Sequence, residues 1–146
     1  MTTKTFVVER EIRIQAPRER VFGLLSSRED FARWMPVEIL EPRVGGNIEF
    51  HFERESGGDL IAVGEITTYD PPSRIAFSWD FKNDPLDART EVTIDLIPEG
   101  KATLVRLKHI GFVDEEEADK HAQGWEHWLG RLKACGEGTL DEKADG

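Results

Sequence analysis

The sequence has little cysteine, little positive charge and no long apolar run. A single cysteine, Cys135, occurs among 146 residues, which excludes an intrachain disulfide. No apolar run approaches the ~20 residues that a transmembrane helix requires. Residues 1–5 lack the apolar core of a signal peptide. Together these absences predict a soluble, cytoplasmic protein with no membrane partner.

Acidic residues outnumber basic ones, 29 against 19, so the formal net charge is −10. An acidic surface repels phosphate backbones, and nucleic acid is therefore not a predicted partner. The 38% of hydrophobic and 33% of charged residues are typical of a globular chain. The length suits one core, so we predict a single domain over residues 1–136 and a flexible polar tail over residues 137–146.

Most of the chain alternates apolar and polar side chains with the period of a β-strand. We expect a first strand over residues 6–15, a short helix that begins near Pro17, and a second one capped by Ser26 with Glu29. Later strands end at turns such as Gly45-Gly46 and Asp70-Pro71-Pro72-Ser73. Consecutive strands joined by short turns predict an antiparallel meander, and hence an α+β fold.

The last apolar segment has the period of a helix. Asp114 and Glu117 form a second capping box, and Gly136 is a plausible stop. The apolar stripe of this helix consists of Ala118, Ala122, Trp125, Trp128, Leu129, Leu132 and Cys135. A sheet with one apolar face needs a cover, so we expect this long helix to pack across the sheet.

A series of short motifs runs through the chain in a fixed order. They are Arg10-x-Ile12-x-x-x-Ala16-Pro17, Arg20-Val21-Phe22, Val44-Gly45-Gly46, Gly64-Glu65-Ile66, Asp70-Pro71-Pro72, Ile75-x-Phe77-x-Trp79, His109-x-Gly111-Phe112 and Gly124-Trp125-x-x-Trp128-Leu129-x-x-Leu132. In this order they resemble the activator-of-heat-shock-protein-90-ATPase-like family. That family belongs to the START and polyketide-cyclase superfamily (SRPBCC). The resemblance extends from about Val8 to Ala134.

The resemblance implies a helix-grip (START-like) fold. Such a fold has a curved antiparallel sheet of about seven strands wrapped around a long C-terminal helix, with two short helices after the first strand. Superfamily members mostly bind lipids, sterols, polyketides or aromatic metabolites, and a few catalyse cyclisation or related reactions. They share no universal catalytic set, so we predict no catalytic residue. The activators that name the family use an additional chaperone-binding domain, for which this chain has no room.

Aromatic side chains crowd the predicted inner surface. Those assigned to a ligand cavity are Phe50, Phe52, Phe77 and Trp79 on the sheet and Trp125 and Trp128 on the last helix. They fit an aromatic cavity that stacks on a flat ligand, and they fit equally a filled core.

Two polar residues share the inner face by alternation. Arg10 is in phase with Ile12, and it either binds an anionic group of the ligand or pairs with an internal acid. His109 is in phase with Leu107. It hydrogen-bonds a ligand, acts as an acid or base, or is a satisfied structural histidine.

Trp34 and Met35 end the second short helix, where they either gate the cavity mouth or pack under the sheet edge. His121 and His127 are six residues apart and so lie on different helical faces, which argues against a metal site. Cys135 is best interpreted as a small core residue. We predict no metal and no cofactor.

The first functional hypothesis is that the protein binds a small hydrophobic or aromatic ligand in a cavity between the sheet and the last helix, with Arg10 and His109 as polar anchors. The alternative is a cyclase-like or hydrolase-like enzyme that uses His109 as acid or base. A third hypothesis is a chaperone-type or other protein-interaction module. A monomer and a homodimer are both compatible with the sequence.

Overall fold

The computed structural model describes residues 4–53, 58–83, 85–86 and 88–138. Within these residues seven strands and three helices form the α+β helix-grip fold that the sequence predicts. The elements are β1 (Phe6–Ile14), α1 (Arg18–Gly23), α2 (Arg28–Phe31), β2 (Val37–Leu40), β3 (Asn47–Phe52), β4 (Leu60–Asp70), β5 (Arg74–Phe81), β6 (Thr90–Glu99), β7 (Ala102–Phe112) and α3 (Glu115–Gly136). Most of the predicted tail over residues 137–146 lies outside the described residues.

All seven strands belong to one antiparallel sheet with the order β1-β7-β6-β5-β4-β3-β2. Six strands follow the chain as a meander, and β1 joins the far side by pairing with β7. Alternate side chains of β6, such as Val92, Ile94 and Leu96, are buried on the inner face. The first strand of the chain therefore lies beside the last one, and β1 and β2 form the two edges of the sheet.

The two short helices lie between β1 and β2. Ser27 begins α2, since its Oγ accepts the backbone N–H of Asp30 at 3.2 Å. The predicted cap, Ser26, is wrong by one residue, because the Ser26 hydroxyl instead donates to the carbonyl of Gly23 at the end of α1. The compact turn that results brings Trp34 and Met35, which follow α2, into the core.

The helix α3 runs for 22 residues and buries the predicted apolar stripe, including Trp125, Leu129 and Leu132. Asp114 begins it, and the Asp114 carboxylate accepts the N–H of Glu116 at 2.9 Å. The strand that α3 contacts most is β1, and no helix in the described part of the chain has the length and apolar character needed to span a bilayer. Over β3 and β5 aromatic side chains of the sheet meet those of α3, with the Phe52 and Trp128 ring centroids 5.7 Å apart and those of Trp79 and Trp125 5.6 Å apart.

Candidate functional site

A cavity of about 230 Å³ lies between α3 and strands β3, β4 and β5. Its lining consists of Met35, Phe52, Leu60, Trp79, Phe81, Glu117, Lys120, His121, Gly124, Trp125 and Trp128. An apolar cavity of about 150 Å³ is large enough to hold benzene. This cavity therefore has room for a ligand of one or two rings.

The indole N–H groups of two lining tryptophans are used inside the wall. Trp79 Nε1 donates to His121 Nε2 at 3.2 Å, and Trp125 Nε1 donates to His109 Nδ1 at 3.0 Å. The Trp79 and Trp125 ring centroids lie 5.6 Å apart. Because both donors are satisfied by the protein, these rings offer a ligand their apolar surfaces.

His109 is fully buried behind the cavity. Since its Nδ1 accepts from Trp125, its Nε2–H donates to Thr90 Oγ1 at 2.7 Å, and the Thr90 hydroxyl donates in turn to the Trp79 carbonyl at 2.8 Å. Burial, with a smaller contribution from His121, lowers the pKa of His109 to about 2. The imidazole is therefore neutral and fully hydrogen-bonded, and it is not part of the cavity lining.

His121 contacts the cavity directly, with 10% of its side chain exposed. Its Nδ1 donates to the Glu117 carbonyl at 2.8 Å, which leaves Nε2 as the acceptor for Trp79. Burial lowers the pKa of His121, although the Glu117 carbonyl opposes this shift. The imidazole is thus held as the tautomer with its proton on Nδ1.

Sequence reasoning missed the side of the cavity that α3 contributes through Glu117, Lys120, His121 and Gly124. A signal for it exists, because Glu117, His121, Gly124 and Trp128 are spaced by four, three and four residues. That spacing places them on one helical face, and one of them, Trp128, is already assigned to the cavity.

Among the aromatic residues predicted for the cavity, Phe52, Trp79, Trp125 and Trp128 line it. Phe50 and Phe77 do not. Phe50 is 1% exposed and packs its ring 5.5 Å from that of Trp79, while Phe77 is fully buried, with its ring 6.4 Å from that of Trp79. Both fill the core behind the cavity wall.

Arg10 lies on the inner phase of β1 but outside the cavity lining. Its Nε donates to Glu126 Oε1 at 2.9 Å, and 38% of its side chain is exposed. Because β1 is a sheet edge, the long side chain reaches the rim of α3 instead of the cavity. The structure therefore pairs Arg10 with an acid, but not with the internal acid that the sequence predicts, because 59% of the Glu126 side chain is exposed.

Trp34 is fully buried and stacks on Phe31 with ring centroids 4.8 Å apart. Its Nε1 donates to the Leu24 carbonyl at 2.8 Å. These contacts place Trp34 in the core under the sheet edge, away from the cavity lining. Met35, its neighbour in the gating hypothesis, does line the cavity.

The sequence profile of the family described as "Activator of Hsp90 ATPase homolog 1-like protein" matches residues 15–137. The chain belongs to this family. An AHSA1-like protein from Rhizobium etli is 33% identical, with a TM-score of 0.73 over 94% of this chain and 86% of that one.

Two further solved structures share the fold of this AHSA1-like chain. A protein from Chromobacterium violaceum is 24% identical, with a TM-score of 0.81 over 90% of this chain and 96% of that one. The Aha1 dimer from Colwellia psychrerythraea is 20% identical, with a TM-score of 0.74 over 92% of this chain and 98% of that one. None of the curated proteins compared with the chain matches it.

Proposed function

We propose that this AHSA1-like chain binds a small aromatic or otherwise apolar molecule in the cavity between α3 and the sheet. The observation that carries the proposal is the ring-lined cavity of about 230 Å³. Its two hydrogen-bonded tryptophans, Trp79 and Trp125, are held in place before any ligand arrives. A wall fixed in advance lowers the entropy cost of binding, since little has to be ordered when the ligand enters.

The cavity wall can adapt on one side and is rigid on the other. Trp79 and Trp125 are anchored by imidazoles, whereas Met35 has a flexible side chain that adjusts to irregular shapes. Phe52 and Trp128 complete the wall with ring centroids 5.7 Å apart. A flat ligand with one or two rings matches this arrangement better than a long acyl chain, because the volume is small.

The acid–base role considered for His109 is not proposed. Its two ring nitrogens are both hydrogen-bonded within the protein, and its side chain has no exposed surface. A general acid or base must come within hydrogen-bond reach of the substrate. The nitrogen that would have to accept a proton, His109 Nδ1, already accepts the hydrogen bond of the Trp125 indole.

Two glycines of α3 provide a matched test of ligand binding. Gly124 lines the cavity and Gly130 lies on the exposed side of the helix, and a Cβ atom added at either position meets no atom within 4 Å. We expect Gly124→Leu to fill the cavity and weaken binding of indole, used as a neutral bicyclic probe, at least about tenfold. Gly130→Leu should bind it as the wild type does. The measurement is the displacement of backbone NMR signals on titration.

Native mass spectrometry of freshly purified protein adds an independent test. A stoichiometric apolar compound released on denaturation would support the proposal and identify the chemical class. Equal indole affinity in the two leucine variants would contradict the cavity as the site. A clean apo mass together with no indole binding by the wild type would contradict ligand binding itself.

A further inference from the structure

We propose that the ligand of this cavity is an organic cation, a quaternary or tertiary ammonium group carried on a small apolar body. The proposal rests on the proposed function, because it uses the same cavity and adds the charge of the ligand. Three features of the site support it: its aromatic rings, the engagement of two of its indole N–H groups within the protein, and the carboxylate of Glu117.

Five aromatic side chains contribute to the lining: Phe52, Trp79, Phe81, Trp125 and Trp128. The face of an aromatic ring is negative, so a cation within about 6 Å of the centroid is attracted to it. Tryptophan attracts cations most strongly, and three of the five rings are indoles. Alkylammonium groups lose little hydration on entering such a box, because their charge is spread over methyl groups.

Two of the three lining indoles, Trp79 and Trp125, use their N–H groups within the protein. An indole N–H is a positive edge that repels cations and would hydrogen-bond an anion. Here Trp79 donates its N–H to His121 and Trp125 donates its N–H to His109. The Nδ1–H of His121 also donates within the protein, to the Glu117 carbonyl. These three donors are therefore not available to an anionic ligand.

The charged groups at the mouth are Glu117 and Lys120. The Lys120 Nζ lies 3.9 Å from Glu117 Oε1 and 3.8 Å from Glu116 Oε1, so two carboxylates face one ammonium group. Glu116 does not line the cavity, but the three side chains together carry a charge of −1, and the whole chain carries a net charge of −10 that attracts cations over longer distances. Glu117 keeps 35% of its side chain exposed, and this is enough to meet a ligand at the opening.

Three probes of nearly equal shape isolate the effect of charge. Phenyltrimethylammonium, tert-butylbenzene and benzenesulfonate carry the same ring with a tetrahedral head of charge +1, 0 and −1, respectively. We expect the cation to bind at least about tenfold tighter than the neutral probe, and the sulfonate to show no saturable binding. NMR titration of the full chain, repeated at low and high salt, measures all three affinities.

Glu117→Gln tests the carboxylate, and Asp119→Asn is its matched control. Asp119 is an exposed acid on the same helix that does not line the cavity, so its substitution removes the same charge from the same element. We expect Glu117→Gln to weaken binding of phenyltrimethylammonium about three- to tenfold and to leave tert-butylbenzene unchanged. Asp119→Asn should change the affinity for the cation by less than about twofold.

The outcomes separate this inference from the proposed function. If tert-butylbenzene or benzenesulfonate binds as tightly as the cation, or if the two charge variants behave alike, the preference for a cation is wrong and apolar binding stands. If no probe binds and Gly124→Leu behaves as the wild type, both proposals fail.

Discussion

His109 is a histidine that the fold keeps neutral, and this makes the stability of the protein depend on pH. Its pKa is lowered to about 2 in the folded chain, against roughly 6.5 in an unfolded one. Below pH 6.5 the unfolded chain therefore takes up a proton that the folded chain refuses. The free energy of unfolding falls accordingly, by up to about 1.4 kcal/mol per pH unit from this residue as the pH drops toward 2.

We expect this component of the pH dependence to disappear in His109→Gln. The glutamine amide can accept from Trp125 through its oxygen and donate to Thr90 through its nitrogen, but it does not titrate. When the free energy of unfolding is measured with urea between pH 7 and pH 4, it should fall less steeply with falling pH in the variant than in the wild type. Parallel curves for variant and wild type would show that His109 binds a proton in the folded chain.

Thr90 connects His109 to the backbone of β5. Replacing it by valine keeps the shape but leaves the His109 Nε2–H and the Trp79 carbonyl without this hydroxyl. Losing a partner for a buried polar group costs about 1–3 kcal/mol, so we expect Thr90→Val to lower the free energy of unfolding by that amount. Thr93→Val, on the half-buried outer face of the same strand, should change it by less than about 0.5 kcal/mol. Equal effects would contradict a specific role for the hydroxyl.

Individual residues also show how far alternation predicts a site. The period-two pattern places Arg10 and His109 on the inner face, and the structure shows both in that phase. The pattern does not predict which hydrogen-bond partners the polar atoms of these two side chains meet. That depends on which element lies opposite: Arg10 meets Glu126 at the sheet edge, and His109 meets Trp125 under the centre of α3.

Strands β4 and β5 approach closely at Gly64. A Cβ atom there would lie 1.8 Å from the Ser78 carbonyl oxygen, a distance that the backbones must increase. We expect Gly64→Ala to lower the free energy of unfolding by at least about 2 kcal/mol. Gly130→Ala is the control: it meets no atom, and alanine should stabilise α3 by up to about 1 kcal/mol. Denaturant titration of both variants should give shifts of opposite sign, and a neutral Gly64→Ala would contradict the close approach.

The order and type of the elements could be predicted because each has one apolar face with a clear period. The cavity could be predicted only in part, because α3 contributes to it with a face that is not apolar in sequence. Its predicted stripe, centred on Trp125 and Leu129, packs on the sheet. The neighbouring face, with Glu117 and His121, looks solvated in sequence but lines a cavity where rings such as Trp79 and Trp125 separate α3 from the sheet. The size of that separation depends on side-chain rotamers, which periodicity does not describe.

For the molecule as a whole, the pairing of β1 with β7 closes a loop that contains most of the chain. Contacts between residues far apart in sequence form late, because their loop entropy has to be compensated by other contacts. Ile14 in β1 and Ile94 in β6 are both fully buried and allow the same conservative substitution to valine. Each change should cost about 0.5–1.5 kcal/mol.

We expect these two equal changes to affect different rate constants. Ile94→Val lies in the local meander and should slow refolding, whereas Ile14→Val should mainly speed unfolding. Stopped-flow tryptophan fluorescence across a range of urea concentrations measures both rates. The opposite assignment would mean that the closure by β1 forms first.

The position of β1 also has a consequence during translation. Ribosomes add about 5–20 residues per second, so this strand leaves the exit tunnel several seconds before its partner β7 and the covering helix α3. In that interval Val8 and Ile14 of the nascent strand have no core to enter. The charged residues that alternate with them, including Glu9 and Arg13, oppose pairing with strands of other chains. The alternation of apolar and charged residues that lets β1 pack in the folded sheet thus also opposes aggregation of this strand during synthesis.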